Sequence, residues 1–113
     1  KVRQYFLHYL VFHLGYPKSM IAVEKEVKLN GRLHRADIIV YNKLGVPIVI
    51  IECKRTDIQI DKETFLQVSR YNITLEVPYF FLTNGLEHFY FYLDVETKQV
   101  KKLEEIPLYE KIC

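Results

Sequence analysis

The segment Arg35–Arg55, RADIIVYNKLGVPIVIIECKR, decides the fold. Two apolar runs flank Asn42–Gly45, whose residues predict a short turn, so the segment reads as a β-hairpin. Val46–Ile51 is six apolar residues without interruption, which predicts a strand covered on both faces and lying inside a sheet. Apart from Lys43 in the turn, charge lies at one end, with Asp37 near the start of the first strand and Glu52 and Lys54 at the end of the second. Alternation along a strand puts Glu52 and Lys54 on one face and turns Cys53 away. A two-residue turn at Leu44-Gly45 sets Asp37 opposite Glu52. A four-residue turn, Asn42–Gly45, moves the pairing by two residues and keeps the face. In either register the two carboxylates meet.

Outward from the hairpin, Val2, Tyr5, Phe6, Tyr9, Leu10 and His13 recur at helical spacing and Gly15 and Pro17 stop the pattern, predicting a first helix over Lys1–Leu14. Met20–Leu29 alternates, with Ile21, Val23, Val27 and Leu29 on one face, interrupted by Lys25, and Asn30-Gly31 as the turn into the strand Leu33–Tyr41. After the hairpin, Asp61 caps a second helix reaching about Glu76, with Phe65, Val68, Tyr71 and Leu75 at helical spacing. A helix following an interior strand is the crossover of a βαβ unit, so Tyr79–Thr83 should return parallel to Val46–Cys53. Asn84-Gly85 then turns into an aromatic strand, Glu87–Leu93, and the charged ending after Asp94 is expected to give a short strand and a surface tail.

Half of the 113 residues are hydrophobic and 14% are aromatic, enough apolar material for one domain, residues 1–113, with a core. The formal net charge of +2 supplies no global field for nucleic acid, so any basic surface must be local. Two cysteines form neither a disulfide framework nor a metal-ligand spacing, which fits a reducing cytoplasm. No signal peptide is readable, and the apolar runs are too short to span a bilayer. The first residue is Lys1, so a trimmed chain or a piece of a longer protein is expected.

Two carboxylates on adjoining strand ends offer hard oxygen ligands suited to Mg²⁺ or Mn²⁺. A lysine on the same face can orient a water, compensate developing negative charge or, with its pKa lowered, take a proton. These are the needs of phosphodiester hydrolysis. Charges at strand ends are mostly solvated, and what gives these weight is their company: the buried run before Glu52, and a following helix on which Gln67 and Tyr71 are i and i+4 neighbours.

At Asp37, Glu52-Cys53-Lys54 and Gln67-Val68-Ser69-Arg70-Tyr71 the chain resembles the PD-(D/E)xK nucleases, most closely the N-terminal nuclease domain of type I restriction enzyme R subunits. Their pattern is a carboxylate on one strand, (D/E)-x-K on the next and, in one branch, a helix carrying Q-x-x-x-Y. Ala36 stands where the motif has proline. The resemblance runs from Tyr16 to about Phe91 and takes in Val23-Glu24-Lys25 and Thr83-Asn84-Gly85.

It implies an α/β fold of the restriction-endonuclease-like kind, a three-layer α/β/α sandwich around a central mixed β-sheet, and a Mg²⁺- or Mn²⁺-dependent DNA endonuclease. Asp37, Glu52 and the Cys53 carbonyl would bind the metal, and Lys54 would be the catalytic lysine. Glu24 would be the upstream acidic residue, with Glu26 as the alternative, and Gln67 and Tyr71 would position Lys54 or the DNA backbone. Arg35, Arg55 and Arg70 are candidate phosphate contacts, while His34 and His88 read as surface residues. With no G-x-x-x-x-G-K-[ST] loop among four glycines, the chain has no ATP-driven motor of its own. Motor or specificity subunits would lie in flanking sequence or on other chains. Two competing readings are a DNA-binding module of the same fold that does not cleave, and an interaction domain docking through Phe89–Leu93.

Overall fold

The computed structural model describes residues 1–29 and 31–113, apart from the side chains of Leu29, Val68, Ser69 and Tyr71. The turn expected at Asn30-Gly31 therefore falls partly outside the described residues. Helix α1 (Val2–His8) runs into a π-helical turn over Tyr9–His13, where the Leu14 amide donates to the Tyr9 carbonyl at 3.1 Å. The chain then supplies β1 (Ile21–Leu29), β2 (Arg32–Tyr41), β3 (Pro47–Cys53), α2 (Lys62–Leu75), β4 (Tyr79–Thr83), β5 (His88–Asp94), β6 (Gln99–Leu103) and α3 (Tyr109–Ile112). Asp61 caps α2 as expected, its side chain accepting from the Thr64 amide at 2.9 Å, and Glu76 ends the helix in the left-handed region.

The six strands form one mixed sheet in chain order, β1-β2-β3-β4-β5-β6. Among the described residues only β3 and β4 pair in parallel, Val49 against Tyr79 through Cys53 against Thr83, with α2 as the crossover. Alternate residues of the inner strands feed two buried clusters. Val49, Ile51 and Phe81 join Ile38, Val40, Phe6 and Leu10 in the first, whereas Ile50, Phe80 and Leu82 join Ile39, Leu75 and Val77 in the second. Ile48, Val49, Ile50 and Ile51 are all buried, as expected of the apolar run, but Val46 at its head is exposed and lies before β3.

The β2–β3 hairpin reaches its register by a route the sequence does not announce. Asn42 and Val46 bracket a three-residue turn in which Asn42 Oδ1 accepts the Leu44 and Val46 amides, each at 2.9 Å, and Gly45 takes φ +79°. An odd-numbered turn would leave Ile51 facing Asp37. A bulge corrects it: Tyr41 pairs with Pro47 and Val40 with Val49, so Ile48 has no rung partner and the ladder resumes as Ile39 with Ile50 and Ile38 with Ile51. The next rung holds Asp37 and Glu52.

Two expectations need correction. The ending is not a surface tail, because Ile106 and Tyr109 are buried in the first cluster and the Tyr109 hydroxyl donates to the Tyr41 carbonyl at 2.9 Å. Tyr16, 1% exposed, donates its hydroxyl to the Pro107 carbonyl at 2.6 Å and ties the same segment from the other side. His34 is not a surface residue either. It is 5% exposed and faces Glu52, for a reason that lies in β1. His88 is exposed, as read. Strand β5 lies between β4 and β6 with Phe91 and Leu93 buried, so it does not present an exposed apolar patch.

Candidate functional site

The site is assembled where strands β1, β2 and β3 fall out of regular pairing. β1 and β2 pair from Ile21 with Val40 to Val23 with Ile38, and again from Lys25 with Ala36. The rung between them would hold Glu24 and Asp37, and there Glu24 adopts φ +46°, the left-handed region that costs a non-glycine residue energy. Alternation breaks at this rung: Ala36 and Ile39 both reach the second cluster, while Ile38 reaches the first. The break carries His34 and Ala36 to the face that holds Ile50.

Asp37 Oδ2 accepts the Cys53 amide at 2.7 Å, which locks the carboxylate onto the end of β3. Glu52 lies beside it, and its pKa is pushed up from 4.5 to about 7. Burial is the main cause and the Asp37 charge adds to it, while Lys54 acts in the opposite direction. His34 Nε2 stands 3.3 Å from Glu52 Oε1, and burial drives the His34 pKa down against the pull of Asp37. The Cys53 thiol turns to the first cluster and is pushed up to about 12, by burial first and then by the Asp37 and Glu52 charges, which makes it inert.

Two clefts meet at Lys54. One, of about 440 Å³, is lined by His34, Arg35, Glu52, Lys54 and Gln67; the other, of about 520 Å³, by Asp37, Cys53, Lys54 and Arg55 with Lys1 and Arg3 of the first helix. Gln67 thus stands in the cleft that holds Glu52 and Lys54. Tyr71, its expected companion, has a side chain outside the described residues. Lys54 is exposed, and its amide donates to the Thr83 carbonyl at 2.7 Å.

The remaining candidates are placed unevenly. Glu24 sits level with Asp37 but its carboxylate is ion-paired with Arg3. Glu26 pairs instead with Arg35, two residues further along the edge. Arg35 is exposed beside Glu52. Arg55 is held by Asp57 through two contacts of 3.2 Å, and Arg70 is exposed on α2 and lines neither cleft. Among the described residues no group of three or more His, Cys, Asp or Glu side chains is placed to hold a metal ion. No helix among them is long and apolar enough to cross a membrane.

Comparison with known families decides the kinship. The model of the type I restriction enzyme R protein N terminus matches residues 1–107. The chain belongs to that family. A solved structure described as a fragment of an HsdR subunit of a type I restriction enzyme from Vibrio vulnificus YJ016 is similar in fold, with a TM-score of 0.68 at 17% identity. The match covers 98% of this chain and 24% of that one, so this R protein N-terminal chain spans about a quarter of its solved relative. A search of curated proteins gives no match.

Proposed function

We propose that this R protein N-terminal chain is a single PD-(D/E)xK domain, a three-layer α/β/α sandwich that hydrolyses DNA phosphodiesters with Mg²⁺ or Mn²⁺. The observation that carries the reading is the rung of Asp37 and Glu52 with Lys54 two residues on. Two neighbouring carboxylates, one of them shifted to about 7 by burial and by its neighbour, make a site where negative charge is under-compensated. A divalent cation fits such a donor set. Mg²⁺ keeps several waters and is commonly held by one or two carboxylates, so two suffice. Asp37, Glu52 and the Cys53 carbonyl would hold it. When bound, the ion supplies Lewis-acid charge toward a phosphodiester.

The protein's own groups do the rest. Lys54, between the two clefts, donates to negative charge as it grows on the phosphate, a contribution larger in the transition state than in the ground state. The Gln67 amide orients the lysine or the DNA backbone from the facing helix, with Tyr71 one turn away. His34, 3.3 Å from Glu52 Oε1, would constrain that carboxylate. Arg35 is the best placed of the three arginines to meet a backbone phosphate; Arg55 would first have to leave Asp57, and Arg70 would engage only DNA that wraps α2. Glu24 would act from its rung beside Asp37 on release from Arg3. Translocation and sequence choice are left to motor and specificity subunits, in a cytoplasmic complex.

Supercoiled plasmid incubated with the chain should be nicked or linearised with Mg²⁺ or Mn²⁺ and left intact with EDTA. Calorimetry should record Mn²⁺ uptake that Glu52→Ala abolishes. Cleavage that survives EDTA, or unchanged uptake by the variant, would defeat the assignment. DNA binding without cleavage under every divalent ion would select the non-cleaving module.

A further inference from the structure

Thr83-Asn84-Gly85 plays no part in the chemistry above, yet its side chains are closely engaged. Asn84 is 3% exposed, and both ends of its side-chain amide are engaged. Oδ1 accepts the Leu86 amide at 2.9 Å and the Glu87 amide at 2.7 Å, which closes the β4–β5 turn. With the oxygen so committed, the amide nitrogen is the end left for Ile58, and Nδ2 donates to the Ile58 carbonyl at 2.7 Å. That second bond does nothing for the hairpin. It reaches 26 residues back, into the exposed connection between β3 and α2.

This connection begins at Lys54. Its first amide is fixed by the Thr83 carbonyl at 2.7 Å, its middle closes a turn in which the Ile58 amide donates to the Arg55 carbonyl at 3.0 Å, and its Ile58 carbonyl is the atom Asn84 holds. Consecutive residues, Thr83 at the end of β4 and Asn84 just beyond it, therefore clamp both ends of Lys54–Ile58. Gly85 lies against the middle: a Cβ built there would come within 3.4 Å of Thr56 Cγ2 and 3.2 Å of Val2 Cγ2, on a backbone at φ +90° that excludes most side chains. Every residue from Lys54 to Ile58 is exposed, so no burial fixes the segment; the clamp does.

We propose that Asn84 is a positioning residue for Lys54, acting through the clamped β3–α2 connection. The inference rests on the nuclease reading of Lys54, and the tether itself can be tested without it. A loosened connection lets the Lys54 side chain wander by the ångström or so that costs about 10²-fold in rate when a reacting group is misplaced.

Asn84→Asp separates the two jobs of the side chain, because a carboxylate still accepts from Leu86 and Glu87 but cannot donate to Ile58 and repels its carbonyl. Asn84→Ala removes both and serves as the control for hairpin damage. In Asn84→Asp, hydrogen exchange at the Ile58 amide should accelerate about tenfold or more while the Leu86 and Glu87 amides stay protected. Single-turnover cleavage should fall by roughly 10- to 100-fold, and by less than about threefold when Lys54 is already alanine. Equal losses in the two backgrounds would overturn the route through Lys54, and unchanged exchange at Ile58 would overturn the tether. A chain that cuts no DNA with any divalent ion refutes the nuclease reading, and with it the effect on rate, whereas the exchange comparison still decides whether Asn84 clamps the connection.

Discussion

Glu52→Gln offers a test of the carboxylate pair that needs neither DNA nor metal. The Glu52 side chain is 22% exposed, and its pKa lies at about 7 rather than 4.5. At about 1.4 kcal/mol per pH unit, that displacement corresponds to about 3 kcal/mol. Between those values the folded chain keeps a proton that the unfolded chain has lost. The stability contributed by protonated Glu52 is therefore complete below about pH 4.5 and is lost as pH rises through about 7. Glutamine imitates the protonated acid and cannot ionise. Urea unfolding in EDTA should give similar stabilities for the two proteins near about pH 4, and a variant more stable by about 3 kcal/mol near about pH 8. That is a large share of the roughly 5–15 kcal/mol typical of a folded domain. Mn²⁺ should restore the wild type at the higher pH, by about 2.7 kcal/mol at a hundredfold excess over its Kd, and leave the variant unmoved. A difference between the two proteins that is the same at both pH values would refute the crowding of Asp37 and Glu52 on which the site is built.

Lys54→Ala should slow single-turnover cleavage by roughly 10²- to 10³-fold while DNA affinity at one fixed salt concentration changes little, since affinity sums many phosphate contacts; equal cleavage by both proteins would remove Lys54 from catalysis. Tyr16→Phe deletes the hydroxyl bond to the Pro107 carbonyl, in a ring that burial keeps protonated well above the usual tyrosine range. Urea titration should show a loss of about 1 kcal/mol, and no loss would mean that the Tyr16 hydroxyl contributes nothing to holding the C-terminal segment. Phe81→Ala empties a fully buried position in the first cluster, where Phe81 meets Tyr90 edge-on with centroids 5.2 Å apart. It should cost about 3–5 kcal/mol, and a loss under about 1 kcal/mol would contradict the packing described.

What could be read from the sequence follows from where the physical signal is local. The interior strand was legible because Val46–Ile51 has no polar residue to face solvent, and α2 because Asp61 and the spacing of Phe65 and Leu75 are contained within one helix. The meeting of Asp37 with Glu52 was legible although the turn was not: neither the two- nor the four-residue turn occurs, but the bulge at Ile48 restores the parity that a three-residue turn loses. His34 was missed because simple alternation places it on the face opposite Asp37. What moves it beside Glu52 is a backbone break at Glu24, and no glycine or proline marks that rung. The docking of Ile106 and Tyr109 had a signal, apolar residues three apart, masked by the charges around them.

The chain-order sheet has a consequence for how the molecule comes into being. Four of its neighbouring strand pairs are antiparallel and close over short connections, whereas the parallel pair β3–β4 must wait for a segment containing the whole of α2. Closing a longer loop costs more chain entropy, so local pairings are favoured early and the distant one late. The expected order is a β1–β3 unit and a β4–β6 unit that join last along Val49–Cys53 and Tyr79–Thr83. Pulse-labelling in which the amides of that seam are protected as early as those of the hairpins would contradict it. On this order Asp37 and Glu52 are brought together within the first unit, before Thr83 and Asn84 arrive to clamp the backbone after Lys54. The charges of the site are thus set in one half of the chain, and its lysine is aimed only when the second half docks.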